Sequence, residues 1–210
     1  MARWFSIKPA VTFKGRSFMG VRGWSGKPAH PPLTDFPIVT YALAAVFDVI
    51  SYFASRGSHA GAARDTFVAA TYVIVAGGVA SLATATTGFW DWWKGLERDR
   101  SSGPIGKAAH TQVWRTVNWH ATVMVTVTLI VVVDVIVRLS QYHRGATSLL
   151  VMILSVLAGA LVLYGSLYGG SLVFEYQFNV ESLKNSTVWD ETEQDQLPGR
   201  KPKPPAQPPA

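Results

Sequence analysis

The sequence predicts an all-α, polytopic membrane protein, built as a four-transmembrane-helix bundle with extended N- and C-terminal tails. Hydrophobic residues make up 49% of the 210 residues and charged residues only 15%. The apolar residues are also gathered into blocks, each close to the roughly 20 residues that cross about 30 Å of hydrocarbon as a helix. In lipid, only helices and closed barrels satisfy their own backbone polar groups. The four blocks are Phe36–Phe53, Phe67–Trp90, Trp119–Val137 and Leu149–Phe174.

Three regions follow from this pattern. Residues 1–35 form a basic and aromatic N-terminal tail, residues 36–176 the transmembrane domain, and residues 177–210 a polar, proline-rich C-terminal tail. We expect the first span to begin at Pro37, because proline suits a first helical turn, with Thr34 or Asp35 as its cap. The tail before it contains no apolar core of the length found in a cleavable signal peptide, so none is predicted.

Lysine and arginine are distributed unevenly between the two sides of the predicted bundle. They concentrate in both tails and in the loop between the second and third spans, whereas few lie on the other side. By the positive-inside rule, both termini are predicted to be cytoplasmic. The formal net charge of +6 is therefore interpreted as a topology signal and as attraction to a lipid bilayer, not as a sign of nucleic-acid binding.

Small residues and tryptophans occur at characteristic positions in the predicted transmembrane helices. Stripes of glycine and serine in the second and fourth spans predict close helix packing, within one bundle in preference to dimerisation. Tryptophans near the predicted cytoplasmic loop are typical of an aromatic belt at headgroup depth, with stacking on a quinone or haem edge as the alternative. These tryptophans are Trp90, Trp92, Trp93, Trp114 and Trp119.

Carboxylates interrupt two of the apolar blocks, Asp48 in the first and Asp134 in the third. An ionisable group at this depth is costly unless it is paired or hydrated, so both are intramembrane polar candidates. We expect each to be paired inside the bundle, by an arginine or by a hydroxyl group. The candidate partners are Arg56, Arg138, Arg144, Ser51 and Ser55.

Two histidines, His30 and His120, are predicted near the cytoplasmic surface. They could provide the two axial ligands of a b-type haem, which transmembrane cytochromes hold between facing helices. Alternatively, His30, Asp35, Asp91 and His120 could bind a metal ion, since all four are acceptable ligands for zinc, iron or manganese. A third interpretation is that these groups cap helix ends and hydrogen-bond to one another. The residues alone leave the three open.

His120 and Asp134 share one face of the third span, since their separation falls about 40° short of four full turns. They lie about 21 Å apart along the helix axis. Met124, Val127 and Val131 fill the face between them, so this helix provides no path for protons. The two polar layers are predicted to be independent.

Several chemistries are excluded or unsupported. Cysteine is absent, which excludes disulfides, thiolate metal sites and cysteine nucleophiles. No nucleophile triad, phosphate-binding loop or nucleotide fingerprint is present. We therefore predict no catalytic residue, and the sequence favours a protein that is not an enzyme.

Three runs, His30–Ile38, Thr87–Trp92 and Gly169–Phe174, resemble a bacterial family of four-helix integral membrane proteins of unknown function. The resemblance covers about residues 20–180. It implies a location in the bacterial inner (plasma) membrane. Relatives in that family are associated with, or fused to, Rieske iron–sulfur domains, which implies a redox neighbourhood and an iron–sulfur protein as a possible partner.

The resemblance also bears on the candidate ligands. It implies that His30, Asp91 and His120 occupy recurrent polar positions of the family. Members often carry further histidines where this chain has Asp35 and Ser171. The chain therefore departs from the family pattern at two positions next to its candidate site.

Two functional hypotheses follow. The first is a non-catalytic accessory subunit of a larger respiratory or redox membrane complex, in which the basic, aromatic and proline-rich tails dock onto other subunits. The second is an electron-transfer membrane protein that binds haem b, or a metal ion, through His30 and His120. A visible absorption spectrum separates them.

Overall fold

The computed structural model describes residues 29–101 and 111–178. Four helices lie within these ranges: α1, His30–Ala54; α2, Ala60–Ser101; α3, Gln112–Ser140; and α4, Leu149–Phe174. Each contains a stretch long and apolar enough to cross a membrane, which in α2 is Ala60–Gly95. The predicted all-α fold with four spans is confirmed. Most of the two predicted tails, 1–28 and 179–210, lies outside the described residues.

The helices run alternately up and down. α1 and α3 begin at the end of the bundle that carries His30 and His120, which we call the histidine end; they finish at the opposite end, the arginine end. α1 packs against α2 and α4, and α3 packs against the same two helices. This places α1 and α3 on one diagonal of the bundle, so residues on their inner faces can meet at its centre.

The start of α1 differs from the prediction. The helix begins at His30, with Pro31 and Pro32 in its first turn and Pro37 inside it. Prolines are tolerated in a first turn, because their missing N–H groups would have no intrahelical partner there. The predicted cap at Thr34 or Asp35 is also wrong: the Thr34 hydroxyl donates to the Pro31 carbonyl at 2.6 Å. The span is therefore longer, and His30 belongs to it.

The starts of α3 and α4 follow standard capping. The Thr111 hydroxyl accepts from the Trp114 N–H at the start of α3, and the Ser148 hydroxyl accepts from the Val151 N–H at the start of α4. Both satisfy N–H groups that a helix cannot pair internally. Between α3 and α4, the short 3₁₀ turn Tyr142–Arg144 ends at Gly145, whose φ of 65° suits glycine.

An apolar core fills the middle of the bundle, between its two polar ends. All four helices contribute buried residues to it: Tyr41, Ala44, Ile74, Val123, Val127, Val131, Ala158 and Val162. Small residues let the helices approach: a Cβ on Gly77 would lie 2.9 Å from the Tyr41 ring, and one on Gly159 would lie 3.3 Å from the Tyr41 carbonyl. These glycines pack inside one bundle, as predicted.

Arg138 joins the diagonal helices at the arginine end. Its Nη1 donates to Asp48 Oδ1 at 2.9 Å, its Nη2 donates to Asp48 Oδ2, and its Nε donates to Asp134 Oδ1 at 3.0 Å. All three side chains are fully buried. Of the partners considered for the two carboxylates, the structure therefore shows Arg138, which binds both. The pairing is bidentate toward α1, a geometry that fixes orientation as well as distance.

Two hydroxyl groups extend this network to the loop before α4. The Thr147 hydroxyl donates to Asp48 Oδ1 at 2.8 Å, and the Thr147 N–H donates to the Ser51 hydroxyl at 3.0 Å. Ser51 in turn donates to the Ala63 carbonyl in α2 at 2.7 Å. Elements from every part of the bundle thus meet at the arginine end, and the buried polar groups are hydrogen-bonded, as burial requires.

We expect Arg138→Met to destabilise the protein by about 3–5 kcal/mol, because two buried carboxylates lose their counter-charge. Unfolding in mixed detergent micelles, followed by circular dichroism, measures this change. Arg144→Met is the matched control, since Arg144 is exposed. The triple variant Asp48→Asn, Asp134→Asn, Arg138→Met should recover most of the loss, because it removes the charges together. A single variant as stable as the unmodified protein would contradict a structural role for the ion pair.

Candidate functional site

His30 and His120 meet across the diagonal of the bundle at the histidine end. Their ring centroids are 6.5 Å apart and their planes are inclined by 79°. Both side chains are half-buried. The sequence predicted that these residues share a layer near one surface, and the structure brings their rings together in a T-shaped arrangement from two helices on one diagonal of the bundle.

α2 holds the His30 ring in place. His30 Nδ1 donates to the Thr84 carbonyl at 2.9 Å. One turn further along α2, Gly88 leaves the space that the ring occupies, since a Cβ there would lie 2.6 Å from His30 Cε1. A carbonyl and a glycine on one helix face therefore define where this ring can lie.

Pro37 supplies a second link between α1 and the same turn of α2. Because Pro37 has no N–H group, the carbonyl of Leu33, four residues earlier, has no helical partner. The Thr84 hydroxyl donates to that carbonyl at 3.0 Å. Thr84 thus uses its side chain to bind the proline-modified turn of α1 and its carbonyl to bind His30, which fixes the first turns of α1 against α2.

α4 holds the His120 ring by the same arrangement. His120 Nδ1 donates to the Gly165 carbonyl at 2.9 Å. Four residues later, a Cβ on Gly169 would lie 3.2 Å from His120 Cε1. In both halves of the chain, then, a histidine donates to a carbonyl of the following helix, and a glycine one turn beyond that carbonyl faces the ring. Sequence patterns showed the glycines, but only the structure shows their pairing with the histidines.

These hydrogen bonds set the chemistry of both rings. A neutral imidazole that donates through Nδ1 keeps a lone pair on Nε2. Among residues 29–95 and 111–178, none hydrogen-bonds to either Nε2. Each histidine is therefore oriented and held in the tautomer that a metal-ligating histidine adopts, in which the other ring nitrogen donates to a carbonyl.

The other residues of the predicted metal site are placed differently. Asp35 is exposed on α1, whereas Asp91 is buried on α2 with 8% of its surface exposed. Across the part of the chain that the structure describes, no group of three or more His, Cys, Asp or Glu side chains is placed to hold a metal ion. The candidate site is therefore the pair His30 and His120.

Asp48 and Asp134 belong to the other end of the bundle. Asp134 lies about 21 Å from His120 along α3, and the apolar core, including Val127 and Val131, fills the space between the two layers. Both carboxylates are bound to Arg138. They stabilise the bundle where the spans end and do not contact the histidine pair.

Comparison with known proteins gives one match. Residues 26–182 match the family DUF2231, described as a predicted membrane protein. The matched segment includes all four helices and both histidines. No curated protein and no solved structure matches the chain.

We expect ¹⁵N NMR of ring-labelled protein to show Nδ1 protonated and Nε2 unprotonated in His30 and His120, because a backbone carbonyl accepts from each Nδ1. The exposed histidines His59 and His143 are internal controls and should give solvent-averaged shifts. Between pH 7 and 8, the Nδ1 proton signal should persist in both His30 and His120. An unprotonated Nδ1 in either ring would contradict the hydrogen bond described.

Proposed function

The chain belongs to the DUF2231 family of predicted membrane proteins, and on that premise we propose that it is an electron-transfer protein that binds haem b between His30 and His120. One observation carries the proposal: the two ring centroids lie 6.5 Å apart, and each ring is oriented by a carbonyl so that Nε2 keeps its lone pair. Cofactor sites in helix bundles are built in this way, from side chains on facing helices.

The separation of the rings supports a single metal atom between them. A bond between a metal ion and an imidazole nitrogen is about 2.0–2.1 Å long. Two such bonds in line, plus the distance from each nitrogen to its ring centre, amount to about 6 Å. The observed 6.5 Å is close to this value.

The number of ligands favours haem over a bare metal ion. Structural zinc takes four protein ligands and catalytic zinc three, but the described residues gather only two here. Haem would bring four nitrogen ligands from its own macrocycle, and His30 and His120 would hold its iron. A two-histidine site therefore fits haem b and falls short for a bare ion.

The surrounding residues have definable roles. When bound, haem exchanges single electrons through its iron. The Thr84 and Gly165 carbonyls hold the two ligands in the required tautomer and increase their basicity. The apolar core beneath the site excludes water on the side of the arginine end, which is one of the protein's means of setting a haem potential.

The site also has a proposed location. The positive-inside distribution of lysine and arginine supports an inner-membrane protein of a bacterium with both termini in the cytoplasm. In that orientation the histidine end, from which α1 and α3 begin, lies on the cytoplasmic side. Electrons would then be exchanged at that surface.

The accessory-subunit hypothesis is compatible with this proposal. It depends on the two tails, which lie mainly outside the described residues, and it stays a prediction. A haem-binding subunit that docks onto an iron–sulfur protein or another redox partner would be consistent with both hypotheses. Purification in a mild detergent, followed by identification of stoichiometric partner subunits, tests the docking role separately from haem binding.

We expect the purified full-length protein, expressed with haem supply, to show a Soret band and the sharp reduced α-band of a low-spin bis-histidine haem. His30→Ala and His120→Ala should each abolish the low-spin spectrum, because each removes one axial ligand. His59→Ala and His143→Ala are the controls and should bind haem normally. Absence of a Soret band from folded protein after reconstitution with haemin would refute the proposal.

We expect Gly88→Ala to reduce haem retention at least about tenfold and to alter the electron paramagnetic resonance spectrum, because a Cβ at this position overlaps the His30 ring. The nearly perpendicular ring planes predict a strongly anisotropic low-spin signal in the unmodified protein. Gly170→Ala is the control, since a Cβ there meets nothing within 4 Å. Equal retention and identical spectra for Gly88→Ala and the unmodified protein would contradict the role of Gly88 in positioning His30.

A further inference from the structure

The two helical hairpins of the chain are built alike. The first hairpin is α1 with α2, and the second is α3 with α4. His120 follows His30 by 90 residues, and the two occupy the same place in their hairpins, at the histidine end. Their carbonyl partners on the following helices, Thr84 and Gly165, are 81 residues apart. A shift of 90 residues therefore relates α1 to α3, and a shift of 81 residues relates α2 to α4.

The same two shifts match buried residues along all four helices. Four buried positions of α1 correspond to buried positions of α3, and five of α2 correspond to buried positions of α4. Because the shifts were set by the histidines and their partners alone, this agreement shows that the two hairpins bury the same faces. The pairs on α1 and α3 are Pro37 with Val127, Tyr41 with Val131, Ala44 with Asp134, and Asp48 with Arg138. The pairs on α2 and α4 are Ala70 with Val151, Ile74 with Ser155, Gly77 with Ala158, Ser81 with Val162, and Asp91 with Leu172.

Contacts between the hairpins follow the same relation. A Cβ on Gly159 of α4 would lie 3.3 Å from the Tyr41 carbonyl of α1. The equivalent residue of α2, Gly78, faces α3, where a Cβ would lie 3.9 Å from Val131 Cγ1. Tyr41 and Val131 are themselves equivalent. Contacts that are repeated when two units exchange places define a two-fold axis. A pseudo-two-fold axis therefore runs along the bundle, between the histidine rings and through the ion pair.

Asp48 and Arg138 occupy equivalent positions but carry opposite charges. Arg138 follows Asp48 by 90 residues, the same shift that relates the two histidines. Each side chain therefore reaches across the axis to the other, and Arg138 Nη1 lies 2.9 Å from Asp48 Oδ1. Two like hairpins from two copies of this chain, brought together in the same way, would place carboxylate against carboxylate or guanidinium against guanidinium. Like charges opposed across an interface cost several kcal/mol.

We propose that Asp48 and Arg138 are the specificity-determining residues of the interface between the hairpins, so that each hairpin accepts as its partner the hairpin of opposite charge. Both hairpins bury the same faces, so apolar burial alone distinguishes poorly between like and unlike partners. The charges on the axis favour α1–α2 with α3–α4 of the same chain and disfavour two like hairpins from neighbouring chains. Other helix assemblies also use one buried polar residue to set pairing, at a cost in stability. Haem binding has no part in this selection, because the ion pair lies at the other end of the bundle.

Exchange of the two charges is the test. The double variant Asp48→Arg, Arg138→Asp keeps one acid and one base on the axis but reverses which hairpin carries each. The single variants Asp48→Arg and Arg138→Asp place like charges across the interface, which is the arrangement of two like hairpins. The full chains are unfolded in mixed detergent micelles and followed by circular dichroism. We expect each single variant to raise the unfolding equilibrium constant at least about a hundredfold, and the double variant to stay within about tenfold of the unmodified protein.

A second exchange carries the helical neighbour of the arginine across the axis as well. Asp134 is equivalent to Ala44, so Ala44→Asp and Asp134→Ala are added to the double variant. The control is the double variant Asp134→Arg, Arg138→Asp, which keeps the same charges but exchanges them along α3, between positions that the axis does not relate. We expect the control to be as unstable as Arg138→Asp, because the acid at position 138 still faces Asp48.

Recovery of stability in either exchange variant, without recovery in the control, supports the selection of unlike hairpins by charge. Three results overturn it. If both exchange variants are as unstable as the single variants, the two positions are not equivalent. If the control recovers as well, any neutral arrangement of charges suffices. If the single variants are as stable as the unmodified protein, like charges are tolerated at the interface. The assay needs no haem, so its outcome is independent of the proposed function.

Discussion

The bidentate ion pair of Arg138 with Asp48 is the interaction on which the rest of the bundle depends. It joins the two helices that lie on a diagonal, and it fixes the rotation of α1 about its own axis relative to α3. His30 precedes Asp48 by 18 residues, which is about five complete helical turns. His120 and Asp134 also share a face. When Arg138 turns the carboxylate faces of α1 and α3 toward each other, it therefore turns the two histidines toward each other at the opposite end.

The two polar layers differ in how completely their polar groups are hydrogen-bonded. At the arginine end, the Arg138 guanidinium group, Thr147 and Ser51 form a hydrogen-bonded network with the buried carboxylates and the neighbouring backbone. At the histidine end, each ring has one nitrogen bonded to a carbonyl and one nitrogen without a partner among the described residues. The apolar core separates the layers. Ionisable groups in membrane spans are usually paired or functional; the arginine end is the paired case, and the histidine end is the one for which we propose a function.

Hydrophobic blocks in the sequence predicted the four helices, because in lipid a long apolar segment has few alternatives to a helix. Depth along each span predicted the two layers, since the rise per residue is constant. The pairing of Arg138 with Asp134 could have been predicted, because the two are four residues apart on one helix. The choice of Arg138 over Arg56 or Arg144 as the partner of Asp48 could not, because that depends on which helices share a diagonal. The start of α1 was predicted incorrectly because Pro37 was assigned to the first turn, whereas Pro31 and Pro32 lie in that turn and Pro37 lies inside the helix. The carbonyl partners of the histidines depend on contacts between helices, which no single segment encodes.

Each hairpin of the chain provides one half of the histidine pair: α1 with α2 presents His30, and α3 with α4 presents His120. Helices of membrane proteins insert first and associate afterwards. Neither hairpin alone contains both histidines, so the pair forms only after the two hairpins have associated correctly. The two histidines therefore come together only in a correctly assembled bundle, and a misassembled bundle would not contain the pair.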